Sequence, residues 1–272
     1  MIINKNKISF DFSEKLSLDA NHPQLSSWQK DIVDLIIDFH SNSSFEIPTS
    51  GTTGNRKQIL VQKEHLLASA KKTNDFFGLK PEDSSLLMMN PKYIGGRMMI
   101  IRAIERGLKL TVLEASNKAM QYADEAYDFC AMVPMQVNES INHFPDAFKR
   151  LKHLIIGGGK VDNALLNKLK KFDTKCYSTF GMTETLSHIA IREISPVYSD
   201  YFKLLSGVQI ESINDCLMID SEEIGVNHLQ TKDVVEIKGG SFKWLGRKDN
   251  MINSGGVKVF PELVEEKLSQ LI

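Results

Sequence analysis

Apolar residues recur at helical spacing early in the chain. Trp28, Ile32, Leu35 and Phe39 fall on one stripe and predict a helix over 28–39, with Ser26 or Ser27 as its cap. Leu66, Ala70, Thr73 and Phe77 repeat the pattern and predict a second helix. Between them, residues 48–55 are polar and rich in Thr, Ser and Gly, which predicts a loop, and a short apolar run follows at Ile59–Val61. From Ser85 the chain alternates β-rich with amphipathic runs. Strands are predicted at 85–89, 108–113, 129–133, 154–156 and 176–180, and helices at 96–105 (ended by Gly107), 120–127 and 163–171. Strand and helix alternating through short connections predict an α/β layered core, a mostly parallel sheet flanked by helices. Beyond Ser187 the runs 188–192, 208–213, 217–220, 226–230, 234–237 and 242–245 are short and close together, which predicts a small antiparallel β-subdomain. Residues 261–271 predict an amphipathic helix opened by Pro261. Its apolar side, Leu263, Val264, Leu268 and Leu271, meets no later element, so the helix is expected to dock backward or to lack its partner.

Composition narrows the class. The 272 residues are 42% apolar and 25% charged, enough for one large or two modest globular domains. Thirty-three basic against thirty-four acidic residues give a net charge of −1, without the basic excess of a protein that binds nucleic acid by neutralising phosphates. The pairs Lys71-Lys72 and Lys170-Lys171 read as solvated helix faces. The N-terminus is too polar for a signal peptide, and no run approaches the ~20 apolar residues of a membrane span. Cys130, Cys176 and Cys216 are scattered, odd in number and embedded in apolar runs, as free thiols in a reducing compartment would be. A cytoplasmic protein without nucleic-acid or membrane partners is expected.

Three segments carry candidate chemistry. In Thr49 to Lys57, two glycines let the backbone turn its N–H groups toward an anion. Ser50, Thr52 and Thr53 add hydroxyl donors, and Arg56 and Lys57 add charge. The spacing departs from a Walker loop, and alone the segment also reads as a flexible linker. Tyr177 to Thr185 follow a predicted strand, at the end of an open α/β sheet where ligands gather. There Thr183 can offer a hydroxyl to phosphate and Glu184 an oxygen to Mg²⁺, against the plainer reading of a surface turn. Gly246 to Val259, taken alone, read as a charged hairpin with a Ser-Gly-Gly turn.

In this order the three segments resemble the adenylate-forming superfamily, which includes acyl-CoA synthetases, firefly luciferase and peptide-synthetase adenylation domains. The resemblance runs from about Ser44 to the last residue. It implies the large N-terminal domain of that fold over 1–246, and a hinge with the first elements of a C-terminal domain over 247–272, Asp249 being the hinge residue. It further implies that Thr49, Ser50, Gly51, Thr52, Thr53, Gly54 and Lys57 hold the β- and γ-phosphates of ATP, with Arg56 where the family has Pro. By the same resemblance Phe180, Gly181, Met182 and Thr183 reach the nucleotide, Thr183 at its α-phosphate. Glu184 would hold Mg²⁺, Asp233 and Arg247 would contact the ribose, and Gly157, Gly158 and Gly159 would lie near the adenine and acyl pocket. Within the superfamily, the compact layout and the run from Gly181 to Ala190 are most like the o-succinylbenzoate–CoA ligases of menaquinone synthesis. Tyr93 and Gly96 then fall at the gate of the acyl site. The second carboxylate of such a substrate needs a cationic or donor partner; Arg97 is the candidate, with His188 a further donor. A helix-surface Arg covering apolar neighbours and a satisfied strand-end His are the competing readings.

The reaction implied is ATP-dependent and has two steps. A carboxylate oxygen attacks the α-phosphate of Mg·ATP and expels pyrophosphate; the thiol of coenzyme A then attacks the acyl-adenylate. Lys57, Thr183 and Mg²⁺ on Glu184 are the expected catalytic groups, supplying charge where it develops. Only about 48 residues precede the phosphate loop, and no counterpart of the family's C-terminal lid, with its lysine, follows. The chain alone is therefore expected to hold nucleotide but adenylate slowly. A ligase for another aryl or fatty acid, and a non-catalytic ATP- or AMP-binding module, stand as alternatives. The oligomeric state, a homo-oligomer included, is open.

Overall fold

The computed structural model describes residues 1–48, 58–255 and 257–268. Among the described residues, thirteen strands form one mixed sheet. Its parallel centre runs Lys109–Leu113, Ser84–Leu87, Tyr127–Met132, Leu151–Ile156, Lys175–Gly181. Both faces of these strands carry buried apolar residues, because both faces are covered. Phe129, Ala131 and Ile155 enter one core cluster, while Cys130, Met132, Leu154 and Ile156 enter the other, which is the period of two expected of a pleated strand. Helices Ser27–Ser41 and Ile94–Arg106 cover the first face, and Pro134–His143 and Asn163–Leu169 the second. Strand ends at Leu87, Met132, Ile156 and Gly181 therefore open along one edge.

The antiparallel run expected after Ser187 is present, and it continues the same hydrogen-bonded sheet. From Lys175–Gly181 the order is His188–Ser195, Phe202–Leu204, Ser241–Arg247, Val226–Lys238, Cys216–Ser221 and Gln209–Ile213. Two runs read separately, 226–230 and 234–237, lie in the single strand Val226–Lys238, whose register shifts against both neighbours. Helix Lys63–Phe77 packs beside Ile94–Arg106 and joins this region to the parallel half through Leu66 and Ala70.

Several elements differ from the pattern-based expectation. Residues 120–127 are not one helix: a short 3-10 turn covers Ala119–Tyr122, and Tyr127 already begins a strand. Asp124 and Glu125, between the two, instead pair with Lys7 across the sheet edge. Helix Pro134–His143 was not anticipated, because Gln136 and Ser140 are buried beside Val137 and Ile141 and break its apolar stripe. Gln136 is satisfied there, donating to the carbonyls of Met88 at 2.7 Å and Ser116 at 3.2 Å. The N-terminal strands Ile2–Ile3 and Lys7–Asp11 also went unread; they extend the sheet beside Lys109–Leu113.

The last helix, Pro261–Leu268, docks backward through its first turn. Glu262 Oε1 accepts from Asn250 Nδ2 at 2.7 Å and Arg247 N at 3.4 Å, and Lys160 Nζ donates to the Glu262 carbonyl at 3.2 Å. Val264 and Leu268 stay exposed, and Leu271 lies outside the described residues. All three cysteines are free and buried, and no described helix is long and apolar enough to cross a membrane.

Phe242 is fully buried at the join between the sheet halves, with ring centroids 5.0 Å from Phe180 and 5.4 Å from Phe202. Phe242→Ala removes that filling and is expected to cost about 3–5 kcal/mol. Denaturant unfolding checks this, and a loss under about 1 kcal/mol contradicts the packing described.

Candidate active site: a cavity at the strand ends

A cavity of about 710 Å³ opens at the edge where the parallel strands end. Its walls come from Met88–Asn90, the helix start Tyr93–Gly96, Ala131–Val133, Gly157–Gly158, Gly181–Thr183 and Ser187–His188. That is where an open α/β sheet places ligands. Two glycines bring the walls together. A Cβ on Gly96 would lie 2.5 Å from the Asn90 carbonyl oxygen, so only glycine lets the helix start seat against that loop. A Cβ on Gly181 would lie 2.2 Å from the Ser187 carbonyl oxygen and 2.4 Å from His188 Cα.

The segment between Gly181 and His188 is a tight hydrogen-bonded unit. Thr183–Thr185 make one 3-10 turn; Met182 N donates to Thr185 Oγ1 at 3.0 Å, and that hydroxyl donates to the Ser187 carbonyl at 2.7 Å. Leu186 closes the turn at φ 62, a conformation costly for leucine, and burying its side chain in the core opposes that cost. Thr183 is buried and lines the cavity, whereas Glu184 is exposed and outside its lining.

The main charge in the wall is Arg102, in helix Ile94–Arg106. It is 1% exposed, its Nη2 donates to Ser187 Oγ at 2.7 Å, and its buried Nε has no partner among the described residues. No described carboxylate pairs with it. Burial pushes this guanidinium down to about 9, still charged at neutral pH. Beside it His188 is buried, with Nε2 3.0 Å from Thr73 Oγ1 and Nδ1 3.3 Å from Ser187 Oγ. Burial, and then the charge of Arg102, hold His188 well below the usual imidazole value, so it is neutral.

The residues singled out in the sequence divide into groups. Tyr93, Gly96, Gly157, Gly158, Gly181, Met182, Thr183 and His188 meet at the cavity. Gly159 is not in its lining and sits against Pro134, and Phe180 packs against Phe202 and Phe242. Asp233 and Arg247 form a separate pair on neighbouring strands, 4.0 Å apart, and Trp244 Nε1 donates to Asp233 Oδ1 at 2.9 Å. Asp249 pairs with Lys232 at 2.8 Å, both exposed. Thr49, Ser50, Gly51, Thr52, Thr53, Gly54 and Lys57 lie outside the described residues; Pro48, just before them, lines the cavity.

Arg97, the expected carboxylate partner, is not in the cavity wall; it is half-buried, where burial disfavours its charge and Asp38 of helix Ser27–Ser41 favours it. Arg102, from the same helix, lines the cavity instead. The signal was in the spacing: seven helical positions bring Arg102 back to within about 20° of Gly95, while Arg97, two positions on, points about 200° away. Ser187 and Thr73, polar residues in apolar surroundings, were likewise missed. For Mg²⁺, which keeps most of its waters and takes one or two carboxylates with substrate phosphates, Glu184 fits as a lone protein ligand. It makes no hydrogen bond or ion pair with another described side chain, and no cluster of three metal-binding side chains occurs among the described residues.

The sequence profile of the family described as AMP-binding enzyme matches residues 27–214. A solved acyl-CoA synthetase (AMP-forming)/AMP-acid ligase II-like protein from Dyadobacter fermentans is similar with TM-score 0.82 and 31% identity, covering 97% of this chain and 77% of that one. The 2-succinylbenzoate–CoA ligase of Haemophilus influenzae is 24% identical over 240 residues, covering 82% of this chain and 52% of that ligase. The O-succinylbenzoate coenzyme A synthetase of Bacillus subtilis, solved in complex with ATP and magnesium ion, shares the fold at TM-score 0.71 and 20% identity, over 82% of this chain and 54% of its own. The chain spans about half the length of the curated relatives it matches.

Gly181→Ala is expected to displace Ser187 and His188 and to weaken calorimetric AMP binding at least about tenfold, the scale of one lost bond to a charged group. Unchanged binding contradicts the close approach. His188 and His153 are both held below 6.5, chiefly by burial. The unfolded chain therefore binds more protons as pH falls through that value, so stability is full above about pH 6.5 and declines below it. Melting curves down to about pH 5 check this; His188→Gln should flatten the decline, and a pH-independent Tm contradicts it.

Proposed function

The chain belongs to the AMP-binding enzyme family, and from that premise we propose that it is the nucleotide- and acid-binding part of an ATP-dependent, AMP-forming acyl-CoA ligase acting on o-succinylbenzoate. The observation that carries the substrate is Arg102, a buried guanidinium facing the cavity without a carboxylate of its own. A buried cation is costly unless paired, so a ligand carboxylate suits the position. Met88, Met89, Met132 and Met182 line the same cavity, and their polarisable thioethers suit an aromatic ring. The relatives named for 2-succinylbenzoate support the same choice.

In this reading the acid lies with its second carboxylate on Arg102 and its reacting carboxylate toward Gly181–Thr183. The buried Thr183 hydroxyl donates to the α-phosphate as a pentacoordinate phosphorus forms and pyrophosphate leaves. Mg²⁺, when bound at Glu184, supplies positive charge to the phosphates. Lys57 and the donors from Thr49 to Gly54 are assigned to the β- and γ-phosphates, and Asp233 with Arg247 to the ribose, on the family resemblance. Coenzyme A then takes the acyl group through its thiol. The division between 1–246 and 247–272 belongs to the same proposal. Asp249 as hinge is supported by its exposed pair with Lys232, a contact weak enough to break as the chain turns.

The test is pyrophosphate release by the full natural gene product, comparing o-succinylbenzoate with benzoylpropionate, the same acid without its ring carboxylate. Arg102→Leu is expected to lower kcat/KM for o-succinylbenzoate roughly ten- to a hundredfold, the scale of lost bonds to a charged group, and to leave benzoylpropionate nearly unchanged. Equal use of both acids by the wild type, or indifference to Arg102→Leu, contradicts the assignment.

A further inference from the structure

Two buried polar side chains, Thr73 and His188, have no part in the reaction as proposed above, although His188 was a candidate donor to the acid. Thr73 is fully buried on helix Lys63–Phe77 and lies outside the cavity lining. It touches His188, which touches Ser187, which receives Arg102. A neutral imidazole carries one ring proton, so this chain of contacts has only two arrangements. If the proton is on Nε2 it goes to Thr73 Oγ1, the Thr73 proton must go to the Ser69 carbonyl, and Ser187 must donate to Nδ1. If it is on Nδ1 it goes to Ser187 Oγ, and Thr73 donates to Nε2.

The distances separate the two. Thr73 Oγ1 lies 3.0 Å from His188 Nε2 but 3.4 Å from the Ser69 carbonyl oxygen, at the limit for a hydroxyl donor. The Thr73 proton is better placed on the imidazole, which puts the ring proton on Nδ1. Ser187 Oγ then accepts from both Arg102 and His188, and its own proton has no acceptor among the described residues. Ser187 lines the cavity, so that proton is left for a ligand. We propose that Thr73, acting through His188, commits the Ser187 hydroxyl to donating into the cavity beside Arg102, which makes Thr73 and His188 positioning residues for recognition of a carboxylate. The proposal rests on the reading of Arg102 as the anchor of the second carboxylate. It adds selectivity: with the opposite tautomer, Ser187 would donate to His188 and leave only its one remaining lone pair for the ligand, which repels a carboxylate.

Nitrogen-15 NMR of the histidine rings in the full natural gene product tests the tautomer directly. His188 protonated on Nδ1 is expected; a ring protonated on Nε2 overturns the proposal even if every kinetic result agrees. The kinetic arm compares Thr73→Val, which removes the hydroxyl at nearly constant volume, with Thr73→Ser, which keeps it. Thr73→Val is expected to raise KM for o-succinylbenzoate about tenfold, with KM for ATP and for benzoylpropionate changed by less than about twofold, and Thr73→Ser to restore the wild-type values. An equal rise for both acids would make Thr73 a packing residue and overturn the proposal. If Arg102→Leu abolishes the preference for o-succinylbenzoate while Thr73→Val leaves it intact, the positioning role fails and the anchor stands. If the wild type shows no preference, the anchor fails and the selectivity proposed here fails with it.

Discussion

A guanidinium has been taken out of water at Arg102 and given only a serine hydroxyl for company among the described side chains. Desolvating a cation costs several kcal/mol in a real protein interior, against a total stability of only about 5–15 kcal/mol for a domain. The surroundings are arranged around that expense. The imidazole next to it is kept neutral, partly by Arg102 itself, so the wall carries one charge and not two. The Gly96 contact seats the helix against the strand-end loop, bringing the face that bears Gly95 and Arg102 to the cavity. A structural ion pair would have filled Arg102's bonding capacity; here a buried N–H is left over.

In the proposed reading the same arrangement ties acid recognition to nucleotide recognition. Thr183 and Ser187 are four residues apart in one turn, cross-braced by the Thr185 hydroxyl and packed against Gly181 without room for a methyl group. A displacement on the nucleotide side is therefore transmitted to Ser187 and from there to Arg102. Such rigidity suits the proposed reaction, whose first step demands that a weak carboxylate nucleophile and a phosphorus atom be held in line. It also explains why the strained Leu186 is tolerated there: the surrounding bonds and its own burial overdetermine its backbone.

Much of this was legible in the chain. The alternation from Ser85 to Phe180 gave the parallel core, because strands buried on both faces and amphipathic helices leave different periods in sequence. The turn at Gly181–Thr183 and the glycines at 157 and 158 could be placed at strand ends, and they do meet at the cavity. What escaped notice was polar and buried. Gln136 and Ser140 hid a helix by interrupting its stripe, and Asp124 and Glu125 bent a supposed helix into an edge contact with Lys7. Arg97 drew attention by standing beside Gly95 and Gly96 in sequence, yet one helical step of about 100° per residue turns it away and brings Arg102 round. Thr73 comes from a different element than the adjacent Ser187 and His188, so their chain is completed only once the helix Lys63–Phe77 packs on the sheet.

The central claim is that Arg102 lacks a protein carboxylate because a ligand provides one. A crystal structure of the chain with AMP and o-succinylbenzoate tests it most directly. Ring-carboxylate oxygens are expected at hydrogen-bond distance from Arg102, with Ser187 Oγ as a second donor and the other carboxylate directed toward the AMP phosphate. An acid seated elsewhere in the cavity, with Arg102 still facing only Ser187, would contradict it.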